Sequence, residues 1–598
     1  MAVYPRHTLT LLTLLGATSA TALAGQVCPQ GEVSAITVTP HSIFDTDAST
    51  DRGALGIFYN VANGLHADTN ENFLRGELLF GVGDCYDPFL ADESERLIRQ
   101  LNFIDRAEVS GVPQPDQSVH VLVETWDRWT LQLNVRARFE EGFEFNGVDV
   151  AERNLLGRGM TLGAFYRKNR ERRAVGGNIA TTRLLGTRWD ARLQAARTRV
   201  GNSIQQGFFY PFVGEVGRYG AVQSFVREKD LFSYNLPAGG TFTHVVQPHR
   251  QLSSEITVAG RIGRPGHLTI LGGGLSTERW EYSTFSKGTE VVTDGDFDNS
   301  EPAPTAISDL LAPQLRDYSS TRVNLVVAQR NLTFQQRDRL DALLGVQDVP
   351  VGAEAALVLG RSIPVLRSST VPDDSDFFGR IRLFAGLAPG RFVLASAVSI
   401  EGRKILGGAE NGWKDVLGEF DLYSYWRRTE TSRHTLFARV SGAGGWSVTG
   451  PFQLTLGGTS VLRGYSVDDL PGGRRLVATL EDRIYLGSPG GDFMDLGMTA
   501  FIDVGSIWAG GAPFGADSGF LATGGAGLRI GMPSGTRGVT RIDIAFPLNG
   551  PDAFRGPTFR ITRSETLGLR RGVEDRQLNR SRRPGVGPGI IPDPSAGR

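Results

Sequence analysis

The sequence predicts a small α+β module followed by a transmembrane antiparallel β-barrel. Three observations predict it. The N-terminus reads as an export address. No later segment is apolar over the ~18 residues that a spanning helix needs. Two-residue alternation recurs from Leu131 to Ser564. Only helices and closed barrels satisfy every backbone polar group in lipid, so an exported chain without a spanning helix is either soluble in the periplasm or an outer-membrane barrel.

The address covers residues 1–24. Arg6 and His7 precede the apolar stretch Leu9–Leu15, and the small residues end at Ala22-Leu23-Ala24, an A-x-A cleavage site. Cys28 follows no lipoprotein-type small-residue box, so no lipid anchor is read. In an oxidising compartment the only two cysteines, Cys28 and Cys85, are natural disulfide partners; two unpaired thiols are the alternative.

At 598 residues the chain exceeds one ordinary compact core and calls for several domains or one very large sheet. A formal net charge of -1 gives no general attraction for nucleic acid. The 76 glycines and 33 phenylalanines suit sheets with tight turns and aromatic edges.

Residues 25–129 read as the module. Ile36 and Val38 alternate with threonines as a short strand; Leu55, Phe58, Ala62 and Leu65 follow helical spacing, and Phe73, Leu74 and Leu78 begin a second helical stretch. In "DPFLADESERLIRQL", Asp87 suits an N-cap and Pro88 the first helical position, with Leu90, Ser94, Leu97 and Leu101 on one face. "FIDRAEVSG" and "SVHVLVETW" close the unit as strands.

Residues 130–564 read as the barrel. In "LQLNVRARF" Leu131, Leu133, Val135, Ala137 and Phe139 oppose Gln132, Asn134, Arg136 and Arg138; in "TRIDIAFPL" Ile542, Ile544 and Phe546 oppose Arg541 and Asp543. A soluble sandwich alternates too, but charges of both signs on segments near ten residues suit a wet barrel interior. Sixteen to eighteen strand candidates are legible, with 202–318 ambiguous. "VVTDGDFDNSEPAPTAIS" reads as a long external loop; Asp294, Asp296 and Asp298 echo a calcium-loop spacing but lack its glycine and final glutamate, so no metal is assigned. The Arg-, Pro- and Gly-rich residues 565–598 read as a disordered tail.

The candidate site is the loop "GGTSVLRGYSVDDL". A loop arginine ordinarily points to solvent. Here Glu481 and Asp503 lie on the polar faces of the next two strands and offer countercharge to a loop folded into the lumen, so Arg463 reads as an internal latch, with Gly464 for a sharp tip and Tyr465 against the wall.

With "LRGY" at Leu462–Tyr465, "FIDVG" at Phe501–Gly505, "NLLGRG" at Asn154–Gly159 and "GELLFGVGDCYDPFLADESERLIRQL" at Gly76–Leu101, the sequence resembles the outer-membrane assembly and two-partner-secretion barrels, the BamA- and TamA-like or bacterial surface antigen proteins. The resemblance implies a POTRA-like periplasmic module before a sixteen-strand barrel. It implies an inward loop of Leu462, Arg463, Gly464 and Tyr465, wall partners Glu481 and Asp503, and an early barrel motif at Asn154, Gly157 and Gly159. It further implies a seam between first and last strands that loosens sideways. Two departures stand out: one module where relatives carry two or more, and some thirty residues beyond the last strand.

The expected function is a non-enzymatic outer-membrane translocase or insertase. It captures unfolded protein clients by strand addition to an exposed edge, from "SVHVLVETW" or its neighbour, in contact with outer-membrane lipid and with a periplasmic or secreted partner protein. The last strand, Phe559–Ser564, is short and carries Arg560 and Arg563, which suits a weak closure. A passive porin-like channel is the alternative. A barrel lipid hydrolase is the third reading, and none of the eight scattered histidines has a catalytic setting. No catalytic residue and no cofactor is assigned.

Overall fold

A computed structural model describes residues 28–43, 63–64, 66–138, 144–169, 172–237, 239–293, 296–363, 375–406, 412–458, 461–466, 470–491, 493–550, 553–554, 556–565, 576–582 and 590. The export address, the helical spacing of Leu55, Phe58, Ala62 and Leu65, and both Phe139 and Asp294 lie outside the described residues.

The module is a three-stranded sheet under two helices: β1 Val33–His41, α1 Glu71–Glu77, α2 Pro88–Gln100, β2 Ile104–Pro113 and β3 Val119–Asp127. The Asp87 side chain accepts the Phe89 N–H at 2.9 Å, and Pro88 opens α2 without a donor to waste. Ser94 donates to the Leu90 carbonyl and accepts the Leu79 N–H, so one hydroxyl ties α2 to the chain before it. Val119, Val121 and Val123 of β3 are buried with Leu74, Ile98 and Leu101 of the helical layer. Cys28 and Cys85 are disulfide-bonded. Closing a loop of 57 residues stabilises the module by about 4 kcal/mol on the chain-entropy account.

The sheet order is β1-β3-β2, with β3 parallel to β1 and antiparallel to β2. Of the two candidates for an edge, "SVHVLVETW" or its neighbour, the first is corrected: β3 is central, and the edges are its neighbours β1 and β2. Alternation marks which residues are buried, not which strand lies between two others.

Twenty strands, from Leu131–Arg138 to Thr558–Glu565, form a closed antiparallel barrel in chain order, the last beside the first. Two short pieces, Glu290–Val292 and Glu301–Pro302, extend the sheet into the long loop between His267–Glu281 and Tyr318–Arg337. The expectation of sixteen strands is therefore corrected upward. The ambiguous interval holds three long strands, Tyr219–Asn235, His244–Arg264 and His267–Glu281. The last contains Gly272, Gly273 and Gly274, which carry no side chains to alternate, and a Cβ on Gly272 would come within 2.6 Å of the Ala259 Cβ.

The barrel is apolar outside and charged within. Leu133, Ile256, Ile502 and Ile561 face outward, while Thr257, Arg322, Asp376 and Asp503 are buried in the lumen. Trp413, Trp446 and Trp508 are exposed at strand ends on one rim and Trp426 on the opposite one, the placement of an aromatic girdle. No helix among the described residues is long and apolar enough to cross a membrane.

The module docks against the rim marked by Trp426. Arg99 of α2 reaches Asp348 at 2.8 Å, Glu93 accepts the Glu215 N–H at 2.6 Å, and Arg96 stacks over Phe334. Arg537 donates to the Ile104 carbonyl at 2.8 Å. Glu93, Arg96 and Arg99 of α2 are thus buried on barrel turns, while Ala91 and Ile98 face the module's own core.

Candidate functional site

The site forms in the segment between the strands His434–Trp446 and Arg474–Gly487. A two-residue ladder, Leu454–Thr455 with Pro471–Gly472, pinches its stem. Leu462 is wholly buried with Leu456, Val477 and Ile507, which directs the tip into the lumen.

Arg463 completes the geometry. Its Nε donates to Asp503 Oδ2 at 2.7 Å and its Nη2 to Asp503 Oδ1 at 2.9 Å, a two-pronged pair, while Nη1 donates to Glu481 Oε2 at 2.9 Å. Such parallel donors fix the plane of the guanidinium as well as its charge. The guanidinium Cζ lies over the Phe501 ring, 3.3 Å from its centroid. Thr479 donates a further bond to Asp503 at 2.9 Å.

The pair continues along the wall. Glu481 accepts from Arg483 at 2.9 Å, Arg483 reaches Asp341 at 2.8 Å, and Arg529 bridges toward Glu481 and binds Asp543 at 2.6 Å. Buried charges persist when each meets a hydrogen-bonded opposite, and alternating signs around Glu481 meet that requirement.

The tip also holds the last strand. The Arg463 carbonyl accepts from Thr558 at 2.7 Å, the Tyr465 carbonyl accepts from Arg560, and the Tyr465 hydroxyl donates to the Asn549 carbonyl at 3.1 Å. Arg560 therefore points inward and fastens the strand, while Phe559 and Ile561 face outward. This corrects the reading of Arg560 as a source of weak closure. Gly464 is likewise reassigned. Its backbone is not left-handed. A Cβ there would lie 2.6 Å from Thr523 Cγ2, so glycine is needed for close approach rather than for a sharp turn.

Asn154, Gly157 and Gly159 lie elsewhere, in the turn from Glu144–Glu152 to Met160–Asn169, and form the joint with the module. Asn154 accepts the Gly159 N–H and donates to Thr69, both at 2.8 Å, and the Gly157 carbonyl accepts the Asn70 N–H at 2.8 Å. Gly157 has φ +68°, and a Cβ would sit 2.2 Å from the Asp68 carbonyl oxygen. Gly157→Ala is expected to free the module for faster protease release while the barrel keeps its heat-modifiable gel mobility. Unchanged release would contradict the joint.

A second joint was legible only as a repeat. "RLLG" at 183–186 echoes "NLLG" at 154–157, and Arg183 donates to the Gly76 carbonyl at 2.7 Å. Beside the first joint, Asp127 receives His66 and Thr69 at 2.8 Å. Burial pushes its carboxyl up, and these bonds pull it back. His66, Asp68 and Asp127 lie close enough together for a metal ion, but the Asp127 oxygens are already occupied by these donors. In the acidic loop that the sequence reads as external, Asp298 pairs with Arg199 and Arg173, and Asp296 bonds Asn299.

Fold and site together define a closed barrel whose inward loop grips both its wall and its final strand. No family model and no curated protein matches the chain. Among solved structures it is similar to CdiB from Escherichia coli (13% identity, TM-score 0.41, 91% of each chain covered) and to CdiB from Acinetobacter baumannii (12%, 0.40, 89% of this chain and 73% of that one). It is also similar to BamA from Haemophilus ducreyi lacking POTRA domains 1–3 (13%, 0.37, 83% and 82%). At such identities and TM-scores, function has to be read from the side chains themselves.

Proposed function

We propose that the chain is an outer-membrane translocase or insertase of polypeptide, of the assembly and two-partner-secretion type, with a single POTRA-like module on the periplasmic side. The observation that carries this reading is the loop's double grip: a guanidinium on the acids of two wall strands, and carbonyls on Thr558 and Arg560 of the last strand. Releasing Arg463 removes both holds at once and loosens the strand that borders the closure of the barrel. A loosened strand exposes unpaired N–H and C=O groups, to which a client strand adds without sequence specificity.

The module supplies a first contact through an edge of its sheet, β2 or β1, and α2 couples that contact to the barrel through Arg99 and Asp348. The outward apolar belt meets lipid. No covalent step is involved. Against a passive channel stands the inward loop, whose Leu462 and Tyr465 pack with wall residues such as Val477 and Ile507 and so occupy part of the lumen.

A photo-crosslinker at the exposed Glu108 of β2 tests the reading with an added, urea-unfolded outer-membrane polypeptide as probe. Capture of that polypeptide, lost when it is added folded, is expected. No capture, together with a wide and permanently open pore in planar bilayers, would favour the channel.

A further inference from the structure

The chain returns to its own lumen after the last strand. A short helix, Arg576–Ser581, lies against the stem of the Arg463 loop. Leu578 is wholly buried among Leu417, Phe452, Leu454 and Leu456. The Gln577 side-chain Oε1 accepts the Thr455 N–H at 2.9 Å and Arg475 at 2.8 Å, and its Nε2 donates to the Thr455 hydroxyl at 2.6 Å. Ser581 donates to the Pro451 carbonyl at 2.6 Å. Arg582 bonds Glu419 and lies 3.5 Å from Glu401, both buried in the wall. Leu578, Ser581 and Arg582 stand at i, i+3 and i+4, one face of a helix. This corrects, for residues 576–582, the expectation of a disordered tail.

Farther along, Ile590 is buried among Val222, Ala259, Ile270 and Val326, on another part of the wall. The tail is thus anchored at two separate lumenal sites. Eleven residue steps separate Glu565 from Arg576, a reach of at most about 36 Å.

We infer that the lumen contains a peptide-binding site for a short basic amphipathic helix, and that the tail segment 576–582 is its resident ligand, acting as a plug. The site has an apolar floor at Phe452 and Leu454, a polar edge at Pro451 and Thr455, and the carboxylates Glu401 and Glu419 to take an arginine. Polypeptide or ions cross only after this segment leaves. Because it rests on Pro451–Thr455, its departure also frees the stem of the loop that carries Arg463. The plug stands whether or not the barrel handles polypeptide, since it concerns what fills the lumen.

Full-length protein in planar bilayers tests it, together with Ser581→Cys labelling by a bulky water-soluble maleimide. Both natural cysteines are bonded, so the introduced thiol is the one that reacts. The parent is expected to conduct little and to protect position 581. Leu578→Asp with Arg582→Glu is expected to raise conductance several-fold and expose the thiol, with heat-modifiable mobility retained. Exchanging the charges of Arg582 and Glu419 is expected to return conductance toward the parent's. Equal conductance in parent and double variant overturns the plug. If the double variant does not fold, labelling in the parent decides: reaction at 581 as fast as at an exposed site overturns the plug, and protection supports it.

Discussion

Arg463→Ala is expected to abolish polypeptide handling and to give the largest fall in heat resistance of any single substitution in the loop. The change leaves Asp503, wholly buried, with only the Thr479 hydroxyl of its described donors, and removes one of the cations on Glu481. Breaking a buried pair from one side typically costs about 3–5 kcal/mol, and water admitted to the lumen lowers that figure. The functional loss exceeds the stability loss, because the carbonyls that hold Thr558 and Arg560 lose their anchor at the same time. Arg427→Ala is the comparison. Arg427 is buried, but its partners Asp338 and Glu430 are 42% and 70% exposed, so its loss leaves no buried carboxylate uncompensated and is expected to cost less. Gel-shift midpoints and client insertion in proteoliposomes measure both effects. Equal losses from the two substitutions would contradict the latch.

Arg322→Ala is expected to match Arg463→Ala in stability while sparing the polypeptide activity at moderate temperature. Arg322 is among the largest fully buried side chains of the protein. It reaches Asp376 through Nε at 2.9 Å and Nη2 at 2.6 Å, and Glu278 through Nη1 at 2.5 Å. Its loss leaves Glu278 and Asp376 to share the Tyr318 hydroxyl, at 2.9 and 3.2 Å, and Asp376 with Arg403 at 3.6 Å, so a cost of about 3–5 kcal/mol is again expected. Arg322 itself bonds neither residues 462–465 nor the last strand among the described contacts, and the network meets the loop segment at its start, where Arg403 donates to Thr449 at 3.2 Å. Gel-shift midpoint falling with insertion retained at low temperature is the predicted pattern; loss of insertion in a folded Arg322→Ala barrel would show that lumenal charge as such, not the latch, governs activity.

The barrel was legible because its two faces sort chemically. Ile542, Ile544 and Phe546 against Arg541 and Asp543 name an outside and an inside, and the two acids Glu481 and Asp503 could be placed on the inner face by parity alone. Strand number was not legible where Gly272–Gly274 interrupts the pattern. The centrality of β3 was not legible because pairing order leaves no mark on a single strand's alternation. Nothing in the sequence marks Glu93, Arg96 and Arg99 as contact residues; what buries them is the barrel rim, a partner remote in sequence. The tail failed for a compositional reason. Arg, Pro and Gly dominate its average, while the residues that anchor it, Leu578, Arg582 and Ile590, are few and matter only beside a wall that already carries Glu401 and Glu419.

The bond between Arg463 and Asp503 is most directly measured by a double-mutant cycle: Arg463→Ala, Asp503→Ala and the pair together, each unfolded by urea with tryptophan fluorescence. Direct contact predicts strong non-additivity, with a coupling of about 1.5–3 kcal/mol and the double variant more stable than the sum of its parts implies. Costs that add to within about 0.5 kcal/mol would mean that the guanidinium does not rest on that carboxylate.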